Sequence, residues 1–217
     1  MSESEYVRTN KTEVKRKPDR GSYDRETVHS ILDEGLVAHV GILQGGTPLV
    51  IPMTYGRVEE QMYLHGSAAS RLLRDARDVD VCVTVTLLDG LVLARSLINH
   101  SMNYRSVVIF GKAKQVTDLD EKSSALDAVT EHIIAGRVAA TRKNSVKEIN
   151  STLVLSIPIN EASAKIRSGP PHDYEEDMEL DVWAGVIPIG MAIGAPEPDE
   201  TLSDLITIPD HVKKWRR

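Results

Sequence analysis

The clearest hydrophobic pattern in the sequence is a strict alternation between Val79 and Leu87. Odd-numbered positions are apolar, and the even positions between them are Asp80, Cys82, Thr84 and Thr86. A period of two predicts a β-strand with one buried face. Cys82 lies on the second face, and no neighbouring residue marks it as reactive, so we expect it to be a small structural residue.

Five other segments have strand-like patterns bounded by turn residues. They are Val37–Leu43, Pro48–Val58, Gln61–Gly66, Tyr104–Val116 and Thr152–Ile159. The pairs Gly45-Gly46 and Glu59-Glu60 separate the first three of these segments and predict a β-meander. The segment from Tyr104 is apolar on both faces, which predicts that a helix, a partner subunit or a flat cofactor covers each side.

Three helices are predicted from apolar spacing and capping residues. One begins after Asp24 and ends at Gly35, and a shorter one spans Ala69–Arg77. The third begins at the capping pair Asp118 and Glu121 and ends at Gly136. Their predicted buried residues are Val28, Ile31 and Leu32; Leu72, Leu73 and Ala76; and Leu119, Leu126, Val129 and Ile133, respectively.

Six strands with a few short helices and no βαβ alternation predict a mainly β fold, a largely antiparallel barrel. We divide the chain into an N-terminal arm (1–21), a barrel domain (22–190) and a C-terminal tail (191–217). The arm is polar and charged, so it either frays or wraps the surface, or it covers a partner subunit or a ligand. The tail is rich in proline and acidic residues and ends in basic ones.

Charge and composition exclude several classes of protein. The 217 residues include 26 Lys and Arg against 32 Asp and Glu, a net charge of -6. A general nucleic-acid binder needs the opposite balance, so we expect no nucleic-acid partner. We expect no membrane partner either, because no apolar run approaches the roughly 20 residues that span a bilayer. With Cys82 as the single cysteine and no secretory pattern at the N-terminus, we expect a cytoplasmic protein without disulfides.

Two segments carry candidate chemistry, although no familiar catalytic motif is present and the scattered histidines predict no metal site. The segment His65–Arg71 brings two hydroxyls and a guanidinium to a predicted helix start, where an anion can bind. A plain helix cap is the simpler interpretation. His65 ends a strand at the predicted barrel rim, where it either faces a cavity or bonds a backbone carbonyl.

The segment Asn99–Val107 is the second unusual stretch. Its Arg105 shares a strand face with Val107 and Ile109. A cation on an apolar face needs an anionic or aromatic partner. That partner is either a carboxylate elsewhere in the chain or a bound cofactor.

Five segments, in this order and spacing, resemble the FMN-binding split-barrel superfamily of the pyridoxamine 5′-phosphate oxidases, and its nitroimidazole-resistance-like branch in particular. They are Arg20–Gly35, Met62–Arg74, Asp89–Ser96, Ser101–Ala113 and Trp183–Pro188. The resemblance covers roughly residues 20 to 190. It implies a six-stranded antiparallel Greek-key split β-barrel that forms a homodimer, with FMN bound between the subunits.

The resemblance also implies roles for individual residues. Ser70 and Arg71 match the Ser-Arg that holds the FMN phosphate, while Leu72 stands where the family has a lysine. His65 matches a histidine near the reacting centre, and it is our candidate catalytic residue. The full predicted cofactor-binding set is Pro52, Met53, Thr54, Tyr55, His65, Gly66, Ser67, Ser70, Arg71, Tyr104, Arg105, Ser106 and Trp183.

The predicted function is an FMN-dependent oxidoreductase that reduces a small molecule, with NAD(P)H as a candidate electron donor. The C-terminal Arg-Leu-His substrate motif of the true oxidases is absent, which argues against oxidation of pyridoxamine phosphate itself. Two alternatives remain. The barrel holds haem, with His65 or His39 as axial ligand, or a deazaflavin; or it is a non-catalytic binding or stress-response module.

Overall fold

The computed structural model describes residues 4–203 and 205–216, which form strands and five short α-helices. Residues 1–3 of the predicted arm, and Asp204 and Arg217 of the predicted tail, lie outside the described residues. The strands are β1 (Gly21–Ser22), β2 (Ala38–Gln44), β3 (Thr47–Met53), β4 (Tyr55–Val58), β5 (Gln61–Ser67), β6 (Asp80–Leu93), β7 (Ser101–Lys112), β8 (Lys114–Gln115), β9 (Thr152–Pro158), β10 (Glu161–Arg167) and β11 (Gly185–Pro188). The helices are α1 (Arg25–Glu34), α2 (Arg71–Asp75), α3 (Leu119–Ile133), α4 (Val146–Ser151) and α5 (Asp210–Lys213).

Two antiparallel sheets form the body of the protein. The larger sheet has the order β1-β10-β7-β6-β2-β3, with β11 added beside β6, and the smaller has the order β4-β5-β9-β8. The sheets enclose one main core and are not joined into a closed cylinder. The predicted mainly β, antiparallel split barrel is therefore confirmed.

Two predicted strands each divide between the sheets. The segment Tyr104–Val116 forms β7 in the larger sheet and β8 in the smaller one. The segment Pro48–Val58 divides at Thr54, where β3 ends in the larger sheet and β4 begins in the smaller one. β3 is an edge strand, which tolerates the missing N–H groups of Pro48 and Pro52. Tyr55, fully buried, then fixes the start of β4 in the core. Thr54 thus lies at the corner between the two sheets.

The sequence pattern missed the strands β1, β10 and β11 of the larger sheet and the second half of β6. Strand β10 contains the small buried residues Ala162, Ser163 and Ala164 in place of large alternating ones, so it shows no clear period. The strand predicted to end at Leu87 continues to Leu93, after a register shift between Leu88 and Gly90.

The predicted N-cap residues Asp24 of α1 and Asp118 of α3 are confirmed. The Asp24 carboxylate accepts a 2.8 Å hydrogen bond from the backbone N–H of Thr27, and Asp118 accepts two from the first turn of α3. The predicted apolar stripe of α3 is partly wrong, because Leu119 is exposed while the smaller Ala125 lies buried beside Val129. Ala125 packs in a small cluster with Val116 and Val154, and the backbone of α3 at Val129 lies directly over Gly56 of β4.

The described part of the N-terminal arm packs along its own chain. Tyr6 is buried in the main core, and its hydroxyl donates a 2.7 Å hydrogen bond to Glu60. The C-terminal tail is held at its far end, where the Trp215 indole N–H donates to the carbonyl of Ile133 at 2.7 Å. Among the described residues, no helix has the length and apolar character needed to cross a membrane.

Candidate functional site

A cleft opens where β3 ends, between the corner at Thr54 and the start of α2. Its volume is about 420 Å³, and we call it the front cleft. It is lined by Ile51, Pro52, Met53, Thr54, His65, Ser70, Arg71 and Leu72. Residues from three separate elements, to which the family resemblance assigns cofactor binding, therefore meet at one place.

The titratable residue on the β5 side of the front cleft is His65. It lies on β5 opposite Val154 of β9, and its side chain is half-buried. Its buried Nδ1 has no hydrogen-bond partner within the part of the chain that the structure describes. Burial lowers the pKa of this imidazole, so it is neutral at pH 7 and offers one donor and one acceptor nitrogen.

The rim of the cleft is formed by the start of α2. The Ser70 hydroxyl oxygen caps this helix by accepting a 3.5 Å hydrogen bond from the N–H of Leu73. Arg71 is 75% exposed, and its closest carboxylate is Asp75 at 3.9 Å, so its guanidinium has bonding capacity to spare. Leu72, where the family has a lysine, is buried in the core. The rim thus presents one guanidinium and one hydroxyl.

Two of the predicted residues near the rim shape the backbone instead. A Cβ on Gly66 would lie 2.7 Å from Cδ1 of Leu73, so glycine at this position allows β5 and α2 to approach closely. The Ser67 hydroxyl accepts a hydrogen bond from the N–H of Ala69 at 3.2 Å and stabilises the turn before α2.

The side chain of Tyr55, although predicted to bind the cofactor, lies away from the front cleft. Its hydroxyl donates to the backbone carbonyls of Leu32 and Gly35, and its ring centroid lies 4.5 Å from that of His132. Because strand residues alternate between faces, Tyr55 points into the core next to a Thr54 that lines the cleft.

Arg105 lies in a different part of the larger sheet. Its guanidinium donates hydrogen bonds to Asp89 and to Glu34. The bond from Nη2 is 2.8 Å long to each of the two carboxylates. The hydrogen bonds that Arg105 donates to Glu34, and then those to Asp89, raise the pKa of Arg105 and keep it charged. The sequence left two kinds of partner open for Arg105, a carboxylate of the chain or a bound cofactor. The described residues supply two carboxylates. Strands β6 and β2 separate Arg105 from β3, a distance of about 14 Å at the usual strand spacing.

The remaining predicted residues are also outside the front cleft. Tyr104 lies opposite Arg167 on β10, and the Ser106 hydroxyl donates to the carbonyl of Lys165 at 3.2 Å. Trp183 is 65% exposed and packs against Gly185 at the start of β11. Within one chain, these residues and Arg105 do not join His65 and Arg71.

A second cavity borders His65 and was not predicted from the sequence. It lies between α3 and α4, has a volume of about 270 Å³, and we call it the α3–α4 cavity. It is lined by His65, Leu126, Val129, Thr130, Ile133, Asn144, Glu148 and Thr152. The apolar spacing of α3 predicted a buried face, and nothing in that pattern shows that part of the face borders a cavity.

The histidine alternatives differ in their surroundings. His39 lies on β2 opposite Pro52 and is exposed, whereas His65 borders both cavities. No cluster of three or more His, Cys, Asp or Glu suited to a metal ion occurs among residues 4–203 and 205–216.

Comparison with known proteins gives the same fold and one family. Residues 24–166 match the model of the pyridoxamine 5′-phosphate oxidase family. This chain is similar to the flavocytochrome Anf3 from Azotobacter vinelandii, with 42% identity and a TM-score of 0.91. The similarity covers 96% of this chain and 97% of the Anf3 chain. A FAD and haem binding protein from Mycobacterium smegmatis is similar over 89% of this chain and 95% of its own, with 36% identity and a TM-score of 0.86.

A third similar structure supports the branch indicated by the sequence. Its name describes a 5-nitroimidazole antibiotic resistance protein from Bacteroides thetaiotaomicron. It is 25% identical with a TM-score of 0.57, and the similarity covers 67% of this chain and 86% of that protein. None of the curated proteins is significantly similar in sequence. The family match spans well over half of the chain, and we conclude that this protein belongs to the pyridoxamine 5′-phosphate oxidase family.

Proposed function

We propose that this protein is a flavin-dependent oxidoreductase that binds its flavin in the front cleft. The observation that carries the proposal is the convergence of Thr54, His65 and the Ser70-Arg71 pair on one cleft from three elements. An apolar floor with a few polar groups suits a flat ring that ends in a phosphate. When bound, a flavin supplies two-electron chemistry that amino-acid side chains lack.

The residues of the cleft fit such a cofactor in different ways. Arg71 can form a bidentate contact with a phosphate, and Ser70 adds a hydroxyl. Thr54 and the end of β3 would border the ring. His65, neutral at pH 7, can donate or accept one proton near the reacting centre. The family resemblance favours FMN, whereas the Mycobacterium smegmatis relative is named for FAD, so FAD is the alternative flavin.

Flavin binding is tested by the absorbance spectrum of the purified protein and by mass spectrometry of the released cofactor, which separates FMN from FAD. Because a hydrogen bond to a charged group contributes about 1.5–3 kcal/mol, Arg71→Ala should weaken flavin binding roughly 10- to 100-fold. Arg77→Ala is the control, since Arg77 is exposed nearby and bonds Gln115 outside the cleft. Absence of flavin uptake, or equal loss in both variants, would refute the proposal.

Turnover is tested separately from binding. We propose NAD(P)H as electron donor, a small molecule as acceptor, and a homodimer as the active form. His65→Gln should keep flavin binding and lower the rate of NAD(P)H oxidation on the order of 100-fold, the usual contribution of a positioned acid or base. Light scattering measures the oligomeric state. An unchanged rate would remove His65 from the catalytic role.

A second candidate is a protein that also binds haem, and one observation favours it. The unpartnered, neutral His65 nitrogen has the form of imidazole that ligates iron, and two of the similar proteins are named for haem or a cytochrome. A Soret band after reconstitution with haem would support this candidate. His65→Ala should abolish the band, whereas His39→Ala should leave it unchanged.

A further inference from the structure

The α3–α4 cavity shares only His65 with the front cleft. A molecule in this cavity would therefore contact His65 without occupying the site proposed for the flavin. Its volume of about 270 Å³ is slightly below the range typical of drug-sized ligands, so it suits a single-ring molecule.

The wall of the cavity formed by α3 is apolar. One face of α3 supplies Leu126, Val129 and Ile133, which follow the i, i+3, i+7 spacing. Of these three residues, Val129 is the buried one. Such a wall favours a ligand with an apolar body, because contact with it removes apolar surface from water.

The hydroxyls of the cavity are available as acceptors. Thr130 donates its hydroxyl proton to the carbonyl of Leu126 at 3.1 Å, and Thr152 donates its own to the carbonyl of Glu148 at 2.9 Å. With their protons engaged, both oxygens keep lone pairs for a donor on a ligand.

The cavity carries no uncompensated charge. Its single carboxylate, Glu148, accepts hydrogen bonds from the guanidinium of Arg142 at 2.6 and 2.8 Å and from the backbone N–H of Ser145 at 2.8 Å. An ionic ligand would lose hydration without gaining a free counter-ion, which is costly. The charge balance therefore favours an uncharged ligand.

We propose that the α3–α4 cavity binds a small uncharged aromatic molecule that carries a hydrogen-bond donor, with phenol as the simplest example. Its ring packs on the α3 wall, and its hydroxyl donates to the oxygen of Thr130 or Thr152. This site goes beyond the proposed function, because phenol binding here requires no flavin.

Three probes separate the parts of this proposal. Phenol has the ring and the donor, anisole keeps the ring and lacks the donor, and benzoate replaces the donor by a negative charge. Binding is followed by NMR through the ring signals of His65, in protein without added cofactor. We expect phenol to bind with a dissociation constant on the order of 1 mM, anisole roughly tenfold more weakly, and benzoate not measurably.

Variants locate the site. Thr130→Val removes one acceptor at nearly constant shape and should weaken phenol binding severalfold, with anisole unaffected. Thr141→Val is the matched control, because Thr141 also donates its hydroxyl to a carbonyl four residues earlier and lies outside the cavity. Leu126→Phe fills the cavity and should abolish binding of both neutral probes, with folding checked by near-UV circular dichroism.

The proposal is overturned if anisole or benzoate binds as tightly as phenol, or if phenol binds Leu126→Phe as well as the wild type. Flavin titration of the same preparations gives an independent answer about the front cleft. A protein that binds flavin but not phenol, or phenol but not flavin, thus separates the two proposals.

Discussion

Gly56 is the position where the packing of α3 on the smaller sheet is most sensitive to a single added carbon. A Cβ built on this residue would lie 2.6 Å from the backbone nitrogen of Val129 and 2.8 Å from the carbonyl carbon of Ala128. Ordinary contacts begin at 3.4 Å, so α3 would have to withdraw by about 0.8 Å. Both neighbours are helix backbone, which cannot rotate away as a side chain can.

The expected cost of Gly56→Ala follows from this overlap. Adding a methyl group to a filled contact costs about 1–3 kcal/mol, and the reduced freedom of the unfolded chain returns about 0.4–1 kcal/mol. The net loss is about 1–2 kcal/mol in the free energy of unfolding. For a chain of this size, that lowers the melting temperature by roughly 2–8 °C.

Thermal unfolding followed by far-UV circular dichroism measures this loss, and Gly190→Ala is the matched control. Gly190 has open space around its Cβ position and no positive φ, so alanine there should leave the melting temperature unchanged or slightly raise it. If Gly56→Ala melts at or above the wild-type temperature, then α3 does not approach β4 as closely as described. The α3 wall of the α3–α4 cavity, which includes Val129, would then be misplaced as well.

Three further predictions test other parts of the structure. Tyr55→Phe removes a buried hydroxyl that bonds two carbonyls, so it should lower the free energy of unfolding by about 1–2 kcal/mol in urea titrations while leaving flavin affinity unchanged. Arg105→Met removes the counter-ion of two carboxylates and should cost roughly 1 kcal/mol; a loss of flavin affinity at unchanged stability would instead favour a cofactor contact. Burial alone would raise the pKa of Glu60, but hydrogen bonds from Tyr6 and Arg25 outweigh it and lower this pKa below 4.5. Wild-type stability should therefore fall more steeply than that of Glu60→Gln as the pH drops below 4.5, and parallel curves of melting temperature against pH would contradict this.

Elements that depend on local signals could be predicted well. Helix α1 has its cap at Asp24, its buried residues three and four positions apart, and its end at Gly35, all within twelve residues of sequence. The alternation from Val79 to Leu87 likewise defines the buried face of β6 without reference to any other strand. In both cases the energy that favours the element comes from its own backbone and the pattern of its own side chains.

Elements that depend on distant partners could not be predicted. Strand β10 is buried because β7 and β1 pair with it, and its small residues give no pattern of their own. Likewise, Ala125 is buried because it packs against Val154, and Val129 because it lies over Gly56, a residue 73 positions away in the chain.

The candidate site shows the same division. The sequence by itself determined the residue types that could bind a phosphate or exchange a proton, since those properties belong to Ser70, Arg71 and His65 individually. Only the tertiary structure decided which of them meet. The corner at Thr54 brings β3, β5 and α2 together at the front cleft, whereas two carboxylates pair with Arg105 some three strands away. The physical reason is that hydrogen bonds and ion pairs act over a few ångströms in space, while a sequence records only distance along the chain.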